Sequence, residues 1–302
     1  MRALFRITGL AVVALAGAPA QAQLENFEEN VLNAEITAQQ ISEGFYVLFG
    51  YGGNIAASIG EDGVLIVDTQ FPEITPKYLA AIAELGGDGV DVAINTHWHF
   101  DHADGNMALG PIGVELVAHE NSRDRLRRDN VINLVSSTRQ QPAYPRDAIP
   151  TRTFSSQMRI DFNAEQIDLL HFGPAHTTGD TVVIFRNRNI VHTGDVFVTA
   201  GYPFIDTDNG GSFEGLIDFC RATMNEIDTD TVVIPGHGRV SDFVEIADYV
   251  SMLGTIRDRM RALIDDGATL EQIAAAGITA EWDAERGDPA NFLDRAYASM
   301  TR

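Results

Sequence analysis

Apolar and polar positions alternate through residues 45–71 in the manner of short strands joined by tight turns. Phe45 to Phe49 reads as a strand, Gly50-Tyr51-Gly52-Gly53 as a turn, and Ile55 to Ile59 as the returning strand. Glu61-Asp62-Gly63 is a second turn, leading into a buried strand from Val64 to Asp68. Helical spacing follows from Ile74 to Leu85, and Val90 to Asn95 is a short apolar strand. A similar succession returns in the second half. Runs at 158–162, 166–172, 181–185 and 190–193 predict strands, 213–227 a helix, and 231–234 another strand. Residues 241–265 predict a long amphipathic helix, with Phe243, Ile246, Val250, Leu253, Ile256, Met260 and Leu263 spaced by three or four. Further helices are expected near 269–276 and 289–300. Strands first and strand–helix alternation afterwards, in both halves, predict an α/β sandwich of two sheets with helices outside. Segment 120–155, rich in Arg and Asn and holding Pro142, Pro145 and Pro150, reads as a linker or lid between the halves.

Composition narrows the class of protein. Of 302 residues, 45% are hydrophobic and 21% charged, the balance of an ordinary globular chain. The formal charge is −22, and Lys77 is the one lysine among 21 basic residues. So acidic a chain is repelled by phosphate backbones and anionic lipid, which argues against nucleic-acid and membrane-surface partners and leaves a small-molecule substrate. The oligomeric state has no signature here. Cys220 lies in an apolar helical series and is expected to be a buried, inert thiol. Residues 1–22 read as an export signal: Arg2 and Arg6, then an apolar stretch from Ile7 to Gly17, then Ala20-Gln21-Ala22 as a cleavage site. A periplasmic or secreted protein starting at Gln23 is expected, with 23–302 as one domain and 241–302 as its helical C-terminal part.

The chemistry is concentrated in Thr96-His97-Trp98-His99-Phe100-Asp101-His102, directly after a predicted strand. His97 and His99 alternate with bulky apolar residues, so an extended segment points both imidazoles the same way. Asp101 and His102 then turn toward a second metal. Three more candidates stand at strand-to-loop transitions beside glycine: His176, Asp195 and His237. His119, His171 and His192 read as structural, with His171 and His192 also placed to support ligands.

On these residues the chain, over roughly 40–240, resembles the metallo-β-lactamase superfamily of dinuclear hydrolases. Its pattern is a strand-ending Asp, then HxHxDH, then His, Asp or Cys, and His. The resemblance implies an αββα sandwich, the metallo-β-lactamase fold, here with extra C-terminal helices. It also implies one metal held by His97, His99 and His176 and another by Asp101, His102 and His237. Asp195 would bridge them, and Asp68 would orient ligands. The implied cofactor is two Zn²⁺ ions, with Fe or Mn also accommodated by nitrogen and oxygen donors. Such a pair lowers the pKa of a shared water to about 7, giving a hydroxide nucleophile that Asp101 orients.

The resemblance does not choose the reaction. His99 stands where flavodiiron oxidases carry Glu. Export and negative charge oppose the nuclease branches. Glyoxalase II enzymes use basic residues for glutathione, and Arg257, Arg259 and Arg261 are not matched to that role. Lactonases add a Tyr where this chain has Val198, the nearest later one being Tyr202. The Cys-ligand β-lactamases carry Cys at the place of Asp195 and a Lys three positions on. The loop 206–212 nevertheless resembles their substrate loop, with Asn209 as a candidate amide donor, and Phe49 and Tyr51 read either as a flap or as packing. The expected activity is β-lactam hydrolysis, weak or promiscuous. The alternatives are a lactone, ester or thioester hydrolase, and a periplasmic accessory metalloprotein of a quinoprotein or sulfur-oxidation system.

Overall fold

The computed structural model describes residues 20–302, with side chains from Phe27 onward. Most of the expected leader therefore lies outside the described residues. The helices are α1 (Ala20–Asn33), α2 (Thr75–Glu84), α3 (Phe100–Ala103), α4 (Asn106–Leu109), α5 (Glu120–Leu126), α6 (Phe213–Met224), α7 (Phe243–Asp265), α8 (Leu270–Ala275), α9 (Asp283–Arg286) and α10 (Ala290–Met300). Among the described residues no helix is long and apolar enough to cross a membrane.

The first sheet runs through β1 (Thr37–Ser42), β2 (Phe45–Phe49), β3 (Ile55–Gly60), β4 (Gly63–Val67), β5 (Val92–Asn95) and β6 (Glu115–His119). Next comes a separate hairpin of β7 (Asn130–Asn133) and β8 (Thr138–Gln141). β9 (Arg152–Phe154) then returns to complete the first sheet beside β6. The chain crosses to the second sheet through Ser155 and Ser156. That sheet holds β10 (Gln157–Phe162), β11 (Glu165–Leu170), β12 (Val182–Phe185), β13 (Ile190–His192), β14 (Val232–Ile234) and β15 (Ser241–Asp242), in that order.

Side-chain alternation explains the layers. In β4, Leu65 and Val67 enter the core between the sheets, while Val64 and Ile66 face Tyr78 and Ile82 of α2. In β12, Val183 and Phe185 enter the same inter-sheet core, while Val182 and Ile184 join a cluster with Leu216 of α6, Leu253 of α7 and Leu293 of α10. Both sheets thus bury both faces, which makes the αββα sandwich expected from the sequence. Truncating any of the leucine or isoleucine side chains among these to alanine costs about 2–5 kcal/mol. The C-terminal helices are the expected addition, capped by Asp242 at α7 and by a Thr269–Gln272 capping box at α8.

Of the two readings of segment 120–155, a linker or a lid, the first is overturned. The segment is built of α5, the β7–β8 hairpin and a strand of the first sheet, so it is not a linker. Its strands are only three or four residues long, too short for a period of two to show.

Cys220 is fully buried, its S–H donating to the Val196 carbonyl at 3.3 Å, and burial pushes the thiol pKa far up. It should therefore resist Ellman's reagent in the native state and react only on unfolding. Stoichiometric labelling of the folded protein would contradict this.

Candidate metal centre

The sandwich brings strand ends from both sheets to one edge. β4, β5 and β6 are parallel, so Asp68 and Thr96 emerge side by side, with Asp68 N–H bonded to the Ile94 carbonyl at 2.8 Å. In the second sheet β13 and β14 are parallel with His192 opposite Ile234, so Asp195 and His237 leave from adjacent ends. His176 lies in the loop after β11. The buried Asp180 carboxylate shapes that loop by accepting from Thr177 N–H and Oγ–H, both at 2.7 Å.

His99 is the last extended residue before α3, so His97 and His99 leave an extended segment and Asp101 and His102 leave a helical turn. All seven candidate ligands converge. His97, His99 and His176 form one cluster, Asp101, His102 and His237 another, and His97, His102 and Asp195 a third that connects them. Asp195 Oδ1 is 3.1 Å from His102 Nε2 and 3.5 Å from His237 Nε2, while its Oδ2 is 3.6 Å from His176 Nε2. One carboxylate therefore faces both half-sites.

Four of the five imidazoles are fixed from behind. His99 Nε2 meets Asp206 Oδ2 at 3.0 Å, His102 Nδ1 meets Asp68 Oδ2 at 2.7 Å, and His176 Nδ1 donates to the Phe204 carbonyl at 2.7 Å. His97 Nδ1 lies 3.0 Å from Thr96 Oγ1, which itself donates to Asp68 Oδ2 at 2.8 Å. Asp68 adopts φ +66°, an uncommon backbone for aspartate, and in that pose it also accepts the Thr96 N–H at 2.7 Å. These partners leave the opposite ring nitrogens for the centre. There His97 Nε2 is buried with no hydrogen-bond partner. His99 Nδ1 faces His176 Nε2 at 2.8 Å, and His102 Nε2 faces His237 Nε2 at 3.2 Å. Two ring nitrogens at such distances need a cation or a proton between them. The donor set thus fits divalent metal ions.

Electrostatics divides the donors in a related way. Burial, reinforced by neighbouring imidazoles, holds His97 well below its usual pKa, and His176 is lowered too. Burial opposes a charge on His102 and His237 as well, but there the carboxylates prevail. Asp195, Asp68 and Asp101 hold His102 well above its usual value, and Asp195 and Asp101 push His237 up to about 10. Carboxylates thus favour the protonated form of His102 and His237, while burial favours the neutral form of His97 and His176.

Close packing demands glycine at two points. A Cβ on Gly53 would lie 2.1 Å from the His102 ring, and one on Gly236 would lie 2.0 Å from Asp195 Oδ1.

A sequence profile described as the metallo-beta-lactamase superfamily matches residues 51–237. The chain belongs to the metallo-beta-lactamase superfamily. Among similar proteins, the α subunit of 2,4-dinitroanisole O-demethylase from Nocardioides sp. is 29% identical over 143 residues, 46% of this chain. That match spans only 40% of the demethylase subunit. The hydroxyacylglutathione hydrolase GloC of Haemophilus influenzae is 29% identical over 151 residues, covering 49% of this chain and 68% of GloC. Among solved structures, DIM-1 metallo-beta-lactamase superposes with TM-score 0.57 at 18% identity, covering 73% of this chain and 98% of its own. The sec-alkyl sulfatase PisA1, solved as a double mutant, gives 0.68 at 14% identity, covering 89% and 50%.

This metallo-beta-lactamase superfamily member opens its centre onto a cavity of about 200 Å³. His99, Asp101, His176, Asp195 and His237 line its polar side, and Phe100, Ile132, Leu134, Val198, Tyr202 and Phe204 its apolar wall. None of its lining side chains is Lys or Arg. Arg257, Arg259 and Arg261 are paired instead with Glu214, Asp258 and Glu281. Tyr202 lines the wall with its ring while its hydroxyl donates to Asp283 at 2.8 Å.

Asn209 is not an amide donor to this cavity. Its Nδ2 donates to both oxygens of Asp206 at 2.9 Å, and Arg125 donates to its Oδ1 at 2.7 Å. Phe49 packs on the inter-sheet core, whereas Tyr51 is exposed and meets Phe27 edge-on at 5.5 Å. His192 accepts the Gly194 N–H and bonds the Asn54 carbonyl, shaping the turn before Asp195. His119 caps α5 and stacks on His171 with ring centroids 3.9 Å apart.

Sequence reasoning missed Asp206 and Thr96 as partners of the histidines. An acidic residue directly after the apolar Phe204-Ile205 was the one available signal for Asp206. Asp206→Asn should weaken metal binding at the His97–His99–His176 cluster by about 10–100-fold, read by competition with a chromogenic chelator. Unchanged affinity would remove Asp206 from the design of the centre.

Proposed function

We propose that the protein is an exported, metal-dependent hydrolase of small, uncharged acyl substrates, esters and lactones foremost. The observation that carries this reading is the cavity: a cluster of metal-ligating donors faces an apolar wall that offers no cation. Two divalent ions bound there supply Lewis acidity and a nucleophile at neutral pH. His97, His99 and His176 would hold one ion, and Asp101, His102 and His237 the other. Asp195 would serve both. Asp101 is one-fifth exposed, with Oδ2 3.1 Å from His237 Nε2, and is the group placed to take and return a proton at the cavity floor. Phe100, Val198 and Phe204 exclude water around the acyl group. The Trp98 ring, edge-on with centroids 4.6 Å apart, and the Asp206 bond keep His99 from swinging away.

Selectivity follows from what the wall lacks. A glutathione thioester carries carboxylates, and so does a penicillin or cephalosporin. Without Lys or Arg in the cavity these bind poorly, so the β-lactam hydrolysis expected from the sequence belongs to the same acyl chemistry but should be slow. The demethylase relative accords with this, since dinitroanisole is uncharged. Zinc suits the nitrogen-rich donor set, and Mn or Fe the carboxylates. Export rests on the charged, apolar and small-residue succession of residues 1–22.

A panel assay tests the reading. Purified protein loaded with zinc, and separately with manganese, is given phenyl acetate, an acyl-homoserine lactone, a chromogenic cephalosporin and S-lactoylglutathione. The uncharged pair should exceed the anionic pair at least tenfold in kcat/KM. A faster cephalosporin or thioester would reverse the assignment, and no turnover at full metal content would favour the accessory role.

A further inference from the structure

We propose that the β7–β8 hairpin sets acyl-chain preference at the centre, with Leu134 and Ile132 as the specificity-determining side chains. This rests on the hydrolase reading and deepens it. The hairpin belongs to neither sheet of the sandwich, so sheet register does not fix its place. Alternation along β7 turns Ile132 inward, where it is buried against Trp98 and Leu126, and turns Val131 outward, 47% exposed. Leu134, next on the inward side, is half-buried, and it lines the cavity together with Ile132 and Phe204.

Polar ties at the outward positions hold this wall in place. Asn133 Nδ2 donates to Asp208 Oδ2 at 2.9 Å, and Asn209 Nδ2 donates to the Val131 carbonyl at 3.0 Å. Arg295 of α10 also donates to Asp208, at 2.7 Å. The segment that anchors the hairpin begins at Asp206, the partner of His99. A single stretch, 206–209, therefore registers the apolar wall against a metal ligand. Aliphatic side chains there have no hydrogen bonds to offer and can select only by removing hydrocarbon from water. That is worth roughly fourfold in affinity per buried methylene. The matching substrate has an aliphatic acyl chain of several carbons.

The test is calorimetric binding of acetohydroxamate and hexanohydroxamate to the zinc-loaded protein, beside kcat/KM for phenyl acetate and phenyl hexanoate. The native protein should bind the hexanoyl ligand at least about tenfold more tightly than the acetyl ligand. Leu134→Ala should lower that ratio about fivefold or more, and Leu134→Met should restore it. Ile132→Val, a milder change in a buried position, should move it the same way by less. Equal affinities in the native protein, or a ratio unmoved in Leu134→Ala, would overturn the proposal. If the binding ratio behaves as expected while neither ester is turned over, the hydrolase reading fails and the hairpin assignment stands.

Discussion

Asp195→Ala is expected to lower turnover about 100-fold or more, equivalent to about 2.7 kcal/mol of barrier, and to reduce bound metal from two ions toward one. The reason is positional. Asp195 presents Oδ1 to His102 and His237 and Oδ2 toward His176, so both half-sites lose a donor together. Asp195→Asn keeps the shape but removes the charge, and the ion at Asp101, His102 and His237 should leave first. Asp195→Cys substitutes a softer thiolate and should shift preference from Mn and Fe toward Zn. Elemental analysis after gel filtration, paired with turnover, reads all three. Full stoichiometry and native turnover in Asp195→Ala would dissolve the dinuclear arrangement.

Gly53→Ala should be nearly as damaging, although it adds one methyl outside the donor set. That methyl would lie 2.1 Å from the His102 ring, which cannot retreat because Asp68 grips Nδ1 at 2.7 Å. Gly53 is also pinned, its N–H donating to the Asp101 carbonyl at 3.0 Å and its own carbonyl accepting from Gln70 at 2.6 Å. A loss of metal and about 100-fold in activity is expected, with far-UV circular dichroism unchanged. Native metal content in this variant would show that His102 is free to move and is not a required ligand.

The sheets and large helices were legible in the sequence because each buries a face of regular period. Leu65 and Val67 against Val64 and Ile66, or the spaced apolar series of 241–265, leave little room for another fold. The seven candidate ligands were legible too, because His97 to His102 crowd one short stretch and the others follow strand ends. Their convergence needed the structure, since it depends on parallel β4–β5 and β13–β14 pairing across distant parts of the chain. What stayed hidden is carried by single contacts. Asp206 reaches His99 across 107 positions, and no local pattern records it. Asn209 sits in a loop that resembled a substrate loop, but its amide is consumed by Asp206. The segment was read as a linker or lid because a four-residue strand with Asn at both ends looks like irregular chain.

The single passage between the sheets, at Ser155 and Ser156, divides the donors. A chain nicked there yields one fragment with β1 to β9 and another with β10 to β15. His97, His99, Asp101 and His102 go with the first, and His176, Asp195 and His237 with the second. Neither fragment alone can assemble either three-donor cluster of the dinuclear arrangement, yet Asn54 of the first fragment still donates to the Pro235 and Gly238 carbonyls of the second, each at 2.9 Å. Retention of two metal ions by the co-expressed fragments would therefore serve as a direct gauge of complementation, independent of any substrate.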